Sequence, residues 1–280
     1  MYLYNQISKI IHDTKIERVA VAFFDYETGT SWTYKGEELF HAASTMKVGV
    51  LAGIFGLIED GHLEMDSKVH VRNRFFSLVD NTLFKTATRR DACATLYASL
   101  GKNMDVSELA YHMIITSSNL ATNLLIDLVG VEHIQEKLKQ LNIQGIELLR
   151  GVEDELAWEH GINNRITANA LVRLFRVIEE SEGFSKRLSD TMIRILEEQR
   201  FNSGIPKGIP PEIRKLSKFA HKTGEISTVA HDAGLVYLPG RKPYALAILT
   251  QRIPGESNSN QAIQRLSKLV YDNFIKTKMA

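Results

Sequence analysis

Residues 42 to 60 constrain the fold more than any other stretch of the sequence. Met46, Val48, Val50, Leu51, Ile54, Phe55, Leu57 and Ile58 place apolar side chains nearly all round one helix. A helix without a polar face has to be surrounded by protein, which predicts a central, buried position. Gly61 stops it. Lys47 contradicts the pattern. Ser44 stands three positions earlier, and this spacing puts both side chains on one face, a turn apart. Burial would lower the lysine pKa and favour a neutral amine able to take a proton from Ser44. Read alone, the pair describes equally well a helix cap and a lysine that snorkels to water.

Around this helix the periodicity changes along the chain. Leu3, Ile7, Ile10 and Ile11 predict a short N-terminal helix. Arg18–Asp25 reads as a buried strand, Tyr26-Glu27-Thr28-Gly29 as a turn, and Thr30–Tyr34 as a second strand. Three consecutive helices are expected at Val106–Ile115, Ala121–Val129 and Glu132–Leu141, and two more near 167–181 and 185–199. Residues 145–166 show no period and predict a long loop, and the Gly- and Pro-rich Asn202–Pro211 predicts a linker. Lys218–Lys222, Ala233–Leu238 and Tyr244–Thr250 are strand-like, and Ile263–Ile275 is a closing helix. The expected fold is therefore α+β. A five-stranded antiparallel sheet built from both ends of the chain is flanked by terminal helices and carries an inserted helical lobe. The expected organisation is one domain over 1–280, with sub-lobes 1–38 plus 208–280 and 39–207.

A net charge of +1 gives no sign of a nucleic-acid or polyanion partner, and no apolar run of about 20 residues is present to span a bilayer. The expected partner is a small molecule. Cys93 is the single cysteine, so no disulfide can form within the chain, and it reads as a buried small hydrophobe rather than a nucleophile. The opening Met1-Tyr2-Leu3-Tyr4-Asn5-Gln6 lacks the features of a signal peptide. As written the chain is expected to be cytoplasmic, or periplasmic or secreted if a leader has been removed. The nine histidines show no metal-binding spacing, and no metal or cofactor is expected.

Three motifs carry the chemistry: Ser44-Thr45-Met46-Lys47, Ser117-Ser118-Asn119 and Lys222-Thr223-Gly224. A second Ser-x-x-Lys, Ser99-Leu100-Gly101-Lys102, contains glycine and lies in no apolar helix, so it is set aside. Each tripeptide alone is weak, but the ordered set resembles class A β-lactamases and penicillin-binding proteins. The resemblance spans nearly the whole chain. Met113–Leu125 resembles the second-motif helix junction, Arg150–Leu156 the omega loop, and Phe219–Gly224 the third-motif strand.

The resemblance implies a β-lactamase/transpeptidase-like fold and a serine hydrolase that forms an acyl-enzyme. Ser44 would be the nucleophile, helped by Lys47. Glu153 would be the base for the deacylating water, and which of Lys47 and Glu153 serves acylation stays open. Ser117 would pass a proton to the leaving nitrogen, tuned by Lys222. Asn119 would hold Lys47 and substrate, and Thr223 and Gly224 would contact substrate. The backbone N–H groups of Ser44 and Glu225 would form the oxyanion hole.

Four departures from the family pattern matter. Ser118 replaces an aspartate. Ala157 replaces an asparagine that helps hold the deacylating water. Gly151 and Ile166 occupy positions that normally form an ion pair closing the omega loop. No arginine lies between Thr223 and Gly240; His231 falls near that spot and is at best a partial substitute in contacting a substrate carboxylate. Acylation then looks complete and deacylation less assured. Three activities fit: β-lactam hydrolysis, hydrolysis of another ester or amide, and penicillin binding with slow or no release.

Overall fold

The structure, a computed structural model, describes residues 2–276. Along the chain run α1 (Tyr2–Thr14), β1 (Ile16–Asp25), β2 (Ser31–Tyr34), α2 (Met46–Glu59), α3 (Val106–Ile115), α4 (Asn119–Val129), α5 (Val131–Gln140), α6 (Ala168–Glu179), α7 (Lys186–Glu197), β3 (Lys218–Glu225), β4 (Val229–Tyr237), β5 (Tyr244–Arg252) and α8 (Ser259–Val270), joined by loops and short turns. The described residues divide into two compact units. One holds the chain up to Thr45, Ile166–Arg176 and everything from Phe201 onward; the other holds Met46–Arg165 and Val177–Arg200.

The first unit contains a five-stranded sheet in the order β3-β4-β5-β1-β2, with antiparallel neighbours throughout. Val19, Val21 and Phe23 recur every second residue on β1, as do Tyr244, Leu246 and Ile248 on β5. Period two puts each set on one face. These residues form a single core with Ile7 and Ile10 of α1 and Ile263 and Leu266 of α8. Two local expectations change. β3 runs on through Thr223 and Gly224 to Glu225, pairing Gly224 with His231, where the sequence predicted a strand ending at Lys222. The 202–211 segment folds into two helical turns, Ile205–Gly208 and Pro211–Arg214, each with proline in its first turn. Proline suits that position because its missing N–H would have no partner there.

In the second unit α2 is buried at every position from Met46 to Gly56. α3, α4, α5 and α7 pack around it. A Cβ at Gly53 would fall 2.9 Å from Ile134 of α5, so glycine permits that helix to come so close. The regular α-helix begins only at Met46. Ala43–Thr45, the expected first turn, is a 3₁₀ turn leading into it.

Candidate active site

Ser44 lies in the 3₁₀ turn, partly exposed between the buried Ala43 and Thr45. Thr45 ties the turn down by donating its N–H (3.1 Å) and its hydroxyl (2.5 Å) to the carbonyl of Ala42. Ala43 adopts a left-handed φ of 45°. β3 passes close by. A Cβ placed on Gly224 would lie 2.9 Å from the backbone nitrogens of both Ser44 and Thr45. That contact explains why a Thr-Gly pair, ordinarily turn chemistry, stays in the ladder: only glycine lets the strand edge approach a backbone N–H this closely. Lys222, on the same strand, is fully buried and donates from Nζ to the Thr223 carbonyl at 2.7 Å. Thr223 is half-buried and Glu225 exposed.

His231 does not fill the role expected of it. It is 2% exposed, and both ring nitrogens are engaged by backbone. Nε2–H donates to the His41 carbonyl (2.8 Å), and Nδ1 accepts from the Thr250 N–H (3.2 Å). Burial pushes its pKa down to about 4, so the ring is neutral near pH 7 and offers no positive charge to a carboxylate.

In the second unit the Lys47 side chain is also fully buried. Its Nζ donates to the Ser117 carbonyl (2.6 Å), Asn119 Oδ1 (2.8 Å) and Ser117 Oγ (3.2 Å). Burial lowers its pKa to about 7, against the opposing pull of Asp91 and Glu153. The amine is therefore poised between charged and neutral forms near physiological pH.

The acceptors come from the α3–α4 junction. Thr116 closes α3 by donating its hydroxyl to the His112 carbonyl (2.8 Å), and Ser117 turns the chain with a left-handed φ of 57°. Ser118 caps α4, its Oγ accepting from the Ala121 N–H at 3.2 Å. Its hydroxyl also donates to Asp91 Oδ2 (2.9 Å), which accepts the Leu120 N–H as well (2.9 Å). No local pattern in the sequence marks Asp91 as part of this junction, because the Ser118 hydroxyl and Leu120 N–H that it accepts lie far along the chain.

Residues 145–166 are an ordered loop containing a short helix, Glu155–Glu159. Asn123 holds it from α4, donating to the Val152 carbonyl (2.9 Å) and accepting the Val152 N–H (2.7 Å). At its base Arg150 donates to the carbonyls of Ile162 and Gly151 and to Asn163 Oδ1, while Asn164 Oδ1 accepts the N–H groups of Leu149 and Arg150. This network closes the loop without an ion pair between positions 151 and 166. Glu153 projects from a left-handed φ of 61°. Oε1 accepts from Asn119 Nδ2 (2.7 Å) and Oε2 from the Ala87 N–H (2.8 Å). Asn119 thus spans Lys47 and Glu153, one amide atom on each. Glu153 also lines a cavity of about 200 Å³ with Thr82, Phe84, Lys85 and Arg89. Ala157 is buried and adds no polar side chain.

The structure therefore joins Lys47, Ser117, Asn119 and Glu153 in one hydrogen-bonded group. It sets Ser44 beside Gly224, on the strand that also carries Lys222, Thr223 and Glu225.

Comparison with known proteins bears on these groups. A β-lactamase of Bacteroides uniformis is 29% identical over 263 residues, covering 86% of this chain and 83% of that protein. A mutant of PBP-A, solved as an acyl-enzyme complex with penicillin G, superposes with a TM-score of 0.81 at 25% identity, covering 98% of this chain and 97% of that one. An ancestral class A β-lactamase superposes with a TM-score of 0.80 at 20% identity, covering 97% and 100%. The fold is that of the class A β-lactamases. Residues 2–274 match the family described as Beta-lactamase enzyme family, and the chain belongs to it.

Proposed function

We propose that this protein is a serine hydrolase that opens β-lactams through an acyl-enzyme on Ser44. The observation that carries this reading is the fully buried Lys47, its amine bonded to Ser117 and Asn119 and its place in the chain three residues after Ser44. In its neutral form Lys47 takes the Ser44 proton as Oγ bonds to the lactam carbonyl carbon. The resulting oxyanion is held by the N–H groups of Ser44 and Glu225. The C–N bond breaks, and Ser117, tuned by Lys222, passes its proton to the departing nitrogen and takes one back from the protonated Lys47 Nζ that donates to its Oγ. Thr223 and Gly224 seat the substrate backbone. Glu153 then takes a proton from water as the water oxygen attacks the ester carbonyl, and that proton passes to the departing Ser44 oxygen, which releases the carboxylic acid product and restores both Glu153 and Ser44.

Penicillin G and intact-mass spectrometry over time test the proposal. An adduct of penicillin mass on the Ser44 peptide that decays, or hydrolysed penicillin without an accumulating adduct, is the expected result; neither adduct nor hydrolysis sinks it. A second reading, penicillin binding with slow release, draws on one observation. Ala157 leaves the deacylating water with Glu153 as its main side-chain partner, and a misplacement of about 1 Å can cost about 100-fold. The decay rate of the adduct separates the two.

Two further outcomes follow. Lys47 must lose its proton to act as a base, and its pKa lies at about 7. The acylation rate should therefore climb as pH rises towards 7 and level off above it, which initial rates across pH 5–9 would check. A rate that falls over this range would rule out a neutral Lys47 as the acceptor. Gly224→Ala would force β3 away from the Ser44 N–H and weaken one oxyanion donor. Acylation should drop by about 10²–10³-fold, and an unchanged rate would remove Gly224 from the site.

A further inference from the structure

The second motif of this chain has serine at 118 where the family pattern has an aspartate, yet the junction does not lack a carboxylate. We infer that Asp91, from the preceding loop, is a positioning residue that supplies the missing anion and fixes the acceptors of Lys47. This rests on the function proposed above.

Three contacts orient the Asp91 carboxylate. Oδ1 accepts the Cys93 N–H (2.9 Å), which fixes the loop. Oδ2 accepts both the Ser118 hydroxyl and the Leu120 N–H, each at 2.9 Å. Those two groups flank Asn119, and Ser118 directly follows Ser117. Pinning them sets where the Ser117 carbonyl, Ser117 Oγ and Asn119 Oδ1 meet Lys47 Nζ. An anion at the start of α4 also matches the positive end of that helix. Ser118 itself is fully buried; its Oγ caps α4 and its hydroxyl proton is spent on Asp91, so the negative charge at the junction is that of Asp91. The same anion acts on Lys47 at longer range, opposing the loss of its proton.

A transplant of the charge tests the assignment. Acylation by penicillin G is timed by intact mass for wild type, Asp91→Ala, Asp91→Asn and the double variant Asp91→Ala/Ser118→Asp, with thermal melts confirming the fold. Aspartate caps a helix as well as serine does, so position 118 can carry it. Asp91→Ala should acylate about 100-fold more slowly through displaced acceptors. Adding Ser118→Asp should restore the rate to within about 10-fold of wild type, a rescue that loss of loop packing alone would not give. A wild-type rate in Asp91→Ala, or a folded double variant without rescue, overturns the inference. Should Asp91→Ala fail to fold, Asp91→Asn decides, since it keeps the shape and one acceptor but not the charge. It should be slowed about 10-fold or more, and a wild-type rate overturns the inference. An unreactive wild type would instead sink the proposed function.

Discussion

With Ser44→Ala, penicillin treatment should leave the protein at its unmodified mass for as long as the reaction is followed. The loss should be on the order of 10⁶-fold, the scale seen when the nucleophile is removed from a serine hydrolase whose residues act as a unit. The other hydroxyls nearby are poorly suited to take over. Thr45 is buried and its hydroxyl is committed to the Ala42 carbonyl. Ser118 is buried against Asp91. Ser117 is the strongest competitor, because it is partly exposed and its Oγ already receives a hydrogen bond from Lys47. The experiment therefore needs peptide mapping of the wild-type adduct. Label on Ser44 that vanishes in Ser44→Ala supports the assignment. Label on Ser117, or an adduct that survives in Ser44→Ala, would reverse the roles of the two serines. The Ser44 side chain is partly exposed, so removing its hydroxyl should leave the melt within about 0.5 kcal/mol of wild type.

The parts of this fold that announce themselves in the sequence are those set by local period. The run from Met46 to Ile58 predicts burial, and α2 is buried from Met46 to Gly56. Val106–Ile115 is a helix with the bounds expected of it, and the strands on both ends of the chain form the five-stranded sheet. Boundaries shift where tertiary contact overrides local chemistry. Thr223-Gly224 resembles a turn, yet the ladder with β4 and the closeness of Ser44 hold it extended.

Features built from distant partners leave no such trace. Asp91 lies in a segment without clear period, and its importance comes from Ser118 and Leu120. The same holds for Asn123, which ties Val152, and for Arg150, whose partners Ile162 and Asn163 come from the far end of its loop. The sequence shows Gly151 and Ile166 as a lost ion pair, but it cannot show that Arg150 and Asn164 close the loop instead. His231 misled for a related reason. Its position in the chain fits a substrate contact, but its charge depends on burial and on two backbone partners that only the fold reveals.

Glu153→Gln should separate the two halves of the reaction. Acylation should proceed, while release of the acyl group slows by about 10²–10⁴-fold, the usual worth of a positioned general base. The adduct on Ser44 would then accumulate and persist. The hydrogen bonds add a second, independent effect. Each Glu153 oxygen accepts from a donor: Asn119 Nδ2 on one side and the Ala87 N–H on the other. A glutamine amide offers only one oxygen, so one of those donors must face an N–H group. Asn119 cannot relieve this by turning over, because its Oδ1 holds Lys47. The unmet donor should cost about 1–3 kcal/mol of stability, visible as a lowered melting temperature of the unacylated variant. Glu153→Ala, which leaves both donors open to water, should lose deacylation equally with a smaller stability penalty. If wild type and Glu153→Gln shed the acyl group at the same rate, Glu153 is not the base, and its contacts with Asn119 and Ala87 serve only to shape the loop.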